Sequence, residues 1–303
     1  MSFSEAWAEK LVGAELAGRY RLDAILGRGS YAVVFRGKHT WTERPVAVKV
    51  LGPHLAPYDP TLVKRFLREA KAAAALRHPH VVDVLDMGEA EHTAFLVLEL
   101  LEGETLAARL AREGALEVEL ALRILLPLCD ALHAAHALSM IHRDVKAENV
   151  FLHEEGGRTV PKLLDFGIVR TAYADGETPL TRRGTLLGTP HYMAPEQVVG
   201  RPPTIAVDVW SCGVLAYRMI AGRFPYDAPH PTEVLADIVT KPHPPLATVA
   251  PHAPRGVAAA VERALAKDPS ARFADVHAFV DALVGGAREV GIELPDPRRR
   301  RGE

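Results

Sequence analysis

From Arg19 onward the apolar positions alternate. The run RYRLDAIL sets Tyr20, Leu22 and Ala24 on every second position, the period of a half-buried strand. A glycine turn follows, and then two further β-rich runs, AVVFRGKH and RPVAVKVL. Asp59-Pro60 offers a helix start, with Asp as N-cap and Pro at the first helical position. The run TLVKRFLREAKAAAALR then places Leu62, Phe66 and Ala70, beside Val63 and Leu67, on one face at helical spacing. VVDVLDMG and TAFLVLEL return to strand character. After Glu102-Gly103 the texture changes. ETLAARLAREG and LEVELALRILLPLCDALHAAHAL predict helices, the second apolar enough to be buried, and NVFLH and PKLLD predict short strands. A polar stretch rich in Gly, Thr and Arg runs from about 176 to 188. Beyond it TIAVDVWSCGVLAYRMIAG, TEVLADIV, GVAAAVERALAK and FADVHAFVDALVGG predict helices, and KPHPPLATVAPHAPRG reads as a connecting loop. The pattern is therefore α+β, a β-rich first third carrying one helix and then a helical remainder. Residues 1–18 show only a short amphipathic stretch and read as a leader, and 286–303 read as a basic tail.

Composition narrows the classes. At 303 residues, 48% hydrophobic and 24% charged, the chain is ordinary globular material, long enough for one large domain or two coupled lobes. A formal net charge of -2 argues against a nucleic-acid binder. The run Arg298-Arg299-Arg300-Arg301 is the local exception and reads as a solvated tail, with an electrostatic docking site as the second reading. Cys129 and Cys212 both sit among apolar residues and form no CxxC pair, so neither a zinc site nor a disulfide framework is expected. No run is long and apolar enough to span a bilayer and none has the make-up of a signal peptide, so the cytoplasm is the expected compartment.

Four segments carry chemistry. Gly27-Arg28-Gly29-Ser30-Tyr31-Ala32-Val33-Val34 lies at the turn between the first two strands, where glycines let backbone N–H groups approach phosphate oxygens. Taken alone, this segment is more often a plain hairpin. Val46-Ala47-Val48-Lys49 ends an apolar strand on an ammonium that needs a partner, and Glu69 in the following helix is available. His142-Arg143-Asp144-Val145-Lys146-Ala147-Glu148-Asn149 is far more specific. Asp144 offers an acceptor for the proton of an attacking hydroxyl, Lys146 a charge for the moving phosphoryl group, and Asn149 a neutral oxygen for Mg2+. Sixteen residues after Asn149 comes Asp165-Phe166-Gly167, whose carboxylate suits the same hard cation.

In this order and spacing, the segments resemble the eukaryotic-type (Hanks-type) serine/threonine protein kinases. The resemblance runs from about residue 20 to 284 and also takes in Ala194-Pro195-Glu196, the DVWSCG segment from Asp208 to Gly213, and Arg272. The opening LAGRYRLDAILGRGSYAVVFRG is similar to the bacterial members. It implies the two-lobed kinase fold within 19–285, a β-rich small lobe of about 19–99 and a mainly helical large lobe of about 103–285. ATP with Mg2+, or Mn2+ in its place, is implied in the cleft, contacted by Leu26, Gly27, Arg28, Gly29, Ser30, Tyr31, Ala32, Val33, Val34, Ala47, Lys49, Leu98, Glu99 and Leu101. Leu98 would be the gatekeeper, Asn149 and Asp165 the metal ligands, and Asp144, Lys146, Lys49, Glu69 and Thr189 the catalytic set. Glu196 would pair with Arg272, and Asp208 would hold the catalytic loop from below. Lys146 and the stretch from Gly188 to Glu196 match the Ser/Thr form, in which Thr189 bonds the catalytic aspartate and lysine. Ala32 and Ala147 depart from the family's glycine and proline but touch neither base nor metal ligand.

Regulation is implied through Arg143, which in this class pairs with a phosphate on the activation segment. Thr181, then Thr185 or Thr178, are the expected autophosphorylation sites, and small-lobe homodimerisation is a route to it. His142 and His78 read as packed structural residues. The partners implied are ATP and proteins bearing Ser or Thr. Two alternatives stay open on the sequence: a nucleotide-binding pseudokinase, and a small-molecule phosphotransferase of similar fold. The sequence also leaves open whether it is a whole soluble kinase or part of a longer protein.

Overall fold

The computed structural model describes residues 3–29, 32–52, 60–90, 93–165 and 189–295. Ser30, Tyr31, Phe166, Gly167, Thr178, Thr181 and Thr185 lie outside the described residues, as does the side chain of Glu69. The chain divides into two units, the first reaching Glu102 and the second starting at Gly103.

Alternation in the first unit builds an antiparallel sheet of β1 (Glu15–Leu16), β2 (Tyr20–Arg28), β3 (Ala32–His39), β4 (Pro45–Leu51), β5 (Val84–Ala90) and β6 (Thr93–Glu99), in the order β1-β2-β3-β4-β6-β5. Period two sorts its side chains onto two faces. Leu51, Ala94 and Leu96 meet Phe66 and Ala70 of α2 (Pro60–Ala75), with Val63 and Leu67 alongside. These are the residues of the helix face read from the sequence apart from Leu62, whose side chain lies outside the described residues, and Pro60 is the first residue of the helix. Val33, Phe35, Val46, Val48, Val50, Phe95 and Val97 form the opposite cluster, together with Tyr20 and Leu22.

That second face gives the segment read as a leader a structure. Residues Phe3–Leu11 form helix α1, whose Ala8 is fully buried in this cluster with Trp7 and Leu11 packed on it. Leu16 of β1 joins the same cluster, and Leu22 donates its N–H to Ala14 O while Gly13 donates to Leu22 O. An open sheet face of large apolar residues must be covered, and here α1 covers it.

The second unit begins with β7 (Gly103–Thr105) and α3 (Leu106–Glu113), then the long α4 (Val118–Ala137). Strands β8 (Val150–Glu155) and β9 (Arg158–Leu163) complete a small sheet in the order β7-β8-β9. The short α5 (Pro195–Val198) precedes α6 (Ala206–Ala221), which is buried along most of its length and ends on Gly222 in the left-handed conformation, φ 69°. Helices α7 (Pro231–Thr240), α8 (Leu246–Val249), α9 (Arg255–Ala264) and α10 (Val276–Arg288) finish the unit. The proline-rich stretch read as a loop thus contains one helical turn, anchored by fully buried Leu246. Helix α10 also runs three residues beyond the expected boundary at 285, because buried Gly286 and Ala287 belong to its packed face. A Cβ on Gly286 would stand 2.3 Å from the carbonyl carbon of Gly256, so α9 and α10 touch backbone to backbone. Cys129 of α4 and Cys212 of α6 are fully buried free thiols. The hydrogen bond they share, with burial, pushes the Cys212 thiol up. Among the described residues no helix is long and apolar enough to cross a membrane.

Candidate active site

The loop between α4 and β8 carries the most specific sequence segment, and one buried carboxylate shapes it. Asp208, in the first turn of α6, is fully buried. Its Oδ2 accepts the backbone N–H of His142 at 2.9 Å, and its Oδ1 accepts that of Arg143 at 2.8 Å. His136 Nε2 lies 2.7 Å from Oδ2. Arg143 has φ 64°, the left-handed region that non-glycine residues seldom adopt. Two short hydrogen bonds from consecutive N–H groups to one carboxylate hold that turn against its cost.

Downstream of the turn, Asp144, Lys146 and Asn149 converge. Lys146 Nζ is 2.8 Å from Asp144 Oδ2. Asn149 Nδ2 donates to Asp144 O at 2.9 Å and to Oδ2 at 3.0 Å. The Asn149 amide N–H groups are thus spent on Asp144, which leaves its Oδ1 as the oxygen able to meet a cation. A 3-10 turn, Ala147–Asn149, delivers Asn149 from the loop into β8. Leu164 then donates its N–H to Asn149 O at 2.9 Å, which ties the residue before Asp165 to the same loop. His142 is fully buried, and burial pushes its pKa down against the pull of Asp208, Asp144 and Asp165. A neutral, packed imidazole is not a general acid at neutral pH, in keeping with its structural reading.

The segment from Thr189 to Gln197 is braced from several sides. Arg272 Nη1 and Nη2 grip Glu196 Oε1 and Oε2 at 2.7 and 2.8 Å, both side chains buried. The same guanidinium donates to Ala266 O and Ala206 O and lies over the Trp210 ring at 4.9 Å. Tyr192 Oη accepts Arg218 Nη1 at 2.8 Å and the Ala147 N–H at 3.3 Å, and burial raises its pKa to about 12. Gln197 takes the Ala194 N–H and donates to Arg143 O at 3.4 Å. Thr189 opens this segment. Its hydroxyl makes no hydrogen bond to Asp144 or Lys146 among the described residues, and its extended backbone, φ -81° and ψ 111°, is the conformation a following proline demands.

In the first unit, Leu26 to Arg28, Ala32 to Val34, Ala47, Lys49, Leu98 and Glu99 lie on strands of one sheet. Gly27 faces Val34 and Arg28 faces Val33 across β2 and β3, and Gly29 N–H closes on Ala32 O at 2.8 Å. A register shift between Ile25 and Gly27 sets off this end of β2, where Leu26 is exposed. Ala47 and Lys49 of β4 face Leu98 and Leu96 of β6, and Val46 faces Glu99. Leu101 follows on in the segment after β6. Glu69 lies within α2, and pairing of its side chain with Lys49 falls outside the described residues.

His136, Gln197, Tyr192 and Arg218 were not singled out from sequence. His136 sits at helical spacing on an apolar helix, where an isolated histidine carries no signal. Gln197 follows a recognisable triplet, which is the one cue that marked its neighbourhood.

With this geometry in place, residues 20–282 match the sequence profile described as "Protein kinase domain". The chain is similar to the serine/threonine-protein kinase Pkn1 of Myxococcus xanthus, 38% identical over 91% of this chain and 39% of that protein. It is 39% identical to the serine/threonine-protein kinase PkaB of Streptomyces coelicolor, over 93% of this chain and 68% of that one. The crystal structure of the Mycobacterium tuberculosis PknI kinase domain aligns with a TM-score of 0.70 at 27% identity, covering 91% of this chain and 98% of that chain. The chain spans about two fifths of the length of Pkn1. It belongs to the protein kinase family, in the Hanks-type serine/threonine branch of these bacterial relatives.

Proposed function

We propose that this chain transfers the γ-phosphoryl group of ATP to serine and threonine hydroxyls of protein substrates. The observation that carries the reading is the contact of Asp144 with both Lys146 and Asn149, on a loop suspended from Asp208. The substrate hydroxyl oxygen forms a bond to the γ-phosphorus as the bond to the bridging β–γ oxygen breaks. Asp144 accepts the hydroxyl proton, and ADP leaves. Lys146 offsets charge on the group in flight while keeping Asp144 oriented. Thr189 lines the substrate side, and its bond to Asp144 and Lys146 forms with substrate in place.

The oxygen donors fit a hard divalent cation, since among the described residues Asn149 bonds Asp144 through Nδ2 and not Oδ1, and Asp165 follows the Leu164–Asn149 link. Asn149 and Asp165 would hold Mg2+ or Mn2+, which supplies charge neutralisation on the phosphates. Lys49, paired to Glu69, takes the α- and β-phosphates, and Gly27 to Val34 present backbone N–H groups to them. Ala47, Leu98, Glu99 and Leu101 receive the adenine. Arg143, its backbone already fixed, receives a phosphate on Thr181, Thr185 or Thr178 after autophosphorylation between two copies. The reaction is placed in the cytoplasm, where ATP is supplied.

Phosphoamino-acid analysis after incubation with labelled ATP, Mg2+ and myelin basic protein tests the reading. Label on phosphoserine and phosphothreonine supports it. Label on phosphotyrosine alone, or none on protein, overturns it.

A further inference from the structure

We propose that α1 clamps the glycine-rich turn through Glu9, making Glu9 a positioning residue for nucleotide binding. This rests on the reading of Gly27 to Val34 as the phosphate-contacting turn. Glu9 Oε1 meets Arg28 Nη2 at 2.5 Å, and Arg28 stands between the two glycines of that turn. The helix that presents Glu9 is itself fixed. Ala8, the preceding residue, is fully buried in the sheet's core cluster, with Trp7 and Leu11 packed beside it. One residue thus anchors the helix, and the next reaches the turn.

Among the described residues the turn is held by the β2–β3 pairs Gly27–Val34 and Arg28–Val33. Leu26 is 52% exposed, the pairing of β2 with β3 shifts register at Ile25/Gly27, and among the described residues the closing bond is Gly29 N–H to Ala32 O. Glycines on either side of Arg28 leave the backbone wide conformational freedom. A guanidinium tied to a packed helix removes part of that freedom before nucleotide arrives, so less ordering remains to oppose binding. The tie joins two side chains of the first unit, whereas Asp144 belongs to the second. The clamp therefore acts on KM for ATP and leaves kcat alone.

Both partners are exposed, at 38% and 59% of their side chains, so the effect is modest and sensitive to salt. Glu9→Gln is expected to raise KM for ATP about threefold to fivefold at low ionic strength, with kcat and thermal midpoint unchanged. The ratio to wild type should shrink towards one as salt rises to about 1 M. The double variant Glu9→Gln/Arg28→Gln should raise KM no further than Arg28→Gln alone, because Arg28→Gln has already removed the tie; additive increases would refute the clamp. If wild type transfers phosphate and Glu9→Gln matches its KM at low salt, the clamp is refuted while the kinase reading stands. A KM change indifferent to salt, or one that moves with the thermal midpoint, also refutes it. No phosphate transfer by wild type would instead sink the kinase reading itself.

Discussion

Asp208 accepts the backbone N–H of Arg143 at 2.8 Å, and Arg143 holds the left-handed φ of 64° at the start of the loop that carries Asp144. The two facts are cause and effect. Without a buried acceptor for consecutive N–H groups, that turn would relax. Asp208→Asn replaces one acceptor by a donor facing a donor. Buried donors left unmet cost about 1–3 kcal/mol each, so a loss of about 2–4 kcal/mol is expected in urea unfolding, with a fall in kcat. Unchanged stability would show that the carboxylate does not hold the loop.

Arg272 and Glu196 form a bidentate pair in the interior of the second unit. Arg272→Met strands a buried carboxylate and should cost about 3–5 kcal/mol. Adding Glu196→Gln removes that stranded charge and should recover part of the loss. A double-mutant cycle on unfolding midpoints is expected to give a coupling above about 1 kcal/mol, and simple additivity would contradict the assignment.

Burial depresses the His142 pKa from its ordinary 6.5, so in acid the unfolded chain takes up a proton before the folded one does. Stability from this group is present above pH 6.5 and is lost as pH falls through the lower folded value. Wild type and His142→Phe, unfolded in urea across pH 5 to 8, should keep a constant difference above about pH 7. Below 6.5, wild type should lose ground. A difference that stays flat throughout would place the imidazole in contact with water.

How much of this could be read from sequence depended on the kind of constraint. The meeting of Asp144, Lys146 and Asn149 was legible because the proposed phosphate transfer would demand those chemical types at fixed intervals. The strands around Tyr20 and Leu22 are legible because a half-buried strand must alternate. Helix α1 hides because, among its described side chains, the anchorage is one alanine with two partly buried neighbours, too few to set a period. Two-residue β1 has no period at all. His136 and Gln197 hide because their partners lie 72 and 54 residues away, and nothing local marks either side chain. The Thr189 contact was inherited from the family pattern, and the described residues do not contain it.

The central claim is that Asp144 takes the hydroxyl proton in phosphate transfer. Steady-state transfer of labelled phosphate from Mg-ATP to myelin basic protein, wild type against Asp144→Asn, tests it most directly. Asparagine keeps the size and the contacts to Lys146 and Asn149 but cannot act as the base. The account predicts a kcat loss of about 10²- to 10⁴-fold with the unfolding midpoint nearly unchanged. A variant that transfers phosphate within a factor of about two of wild type would contradict it.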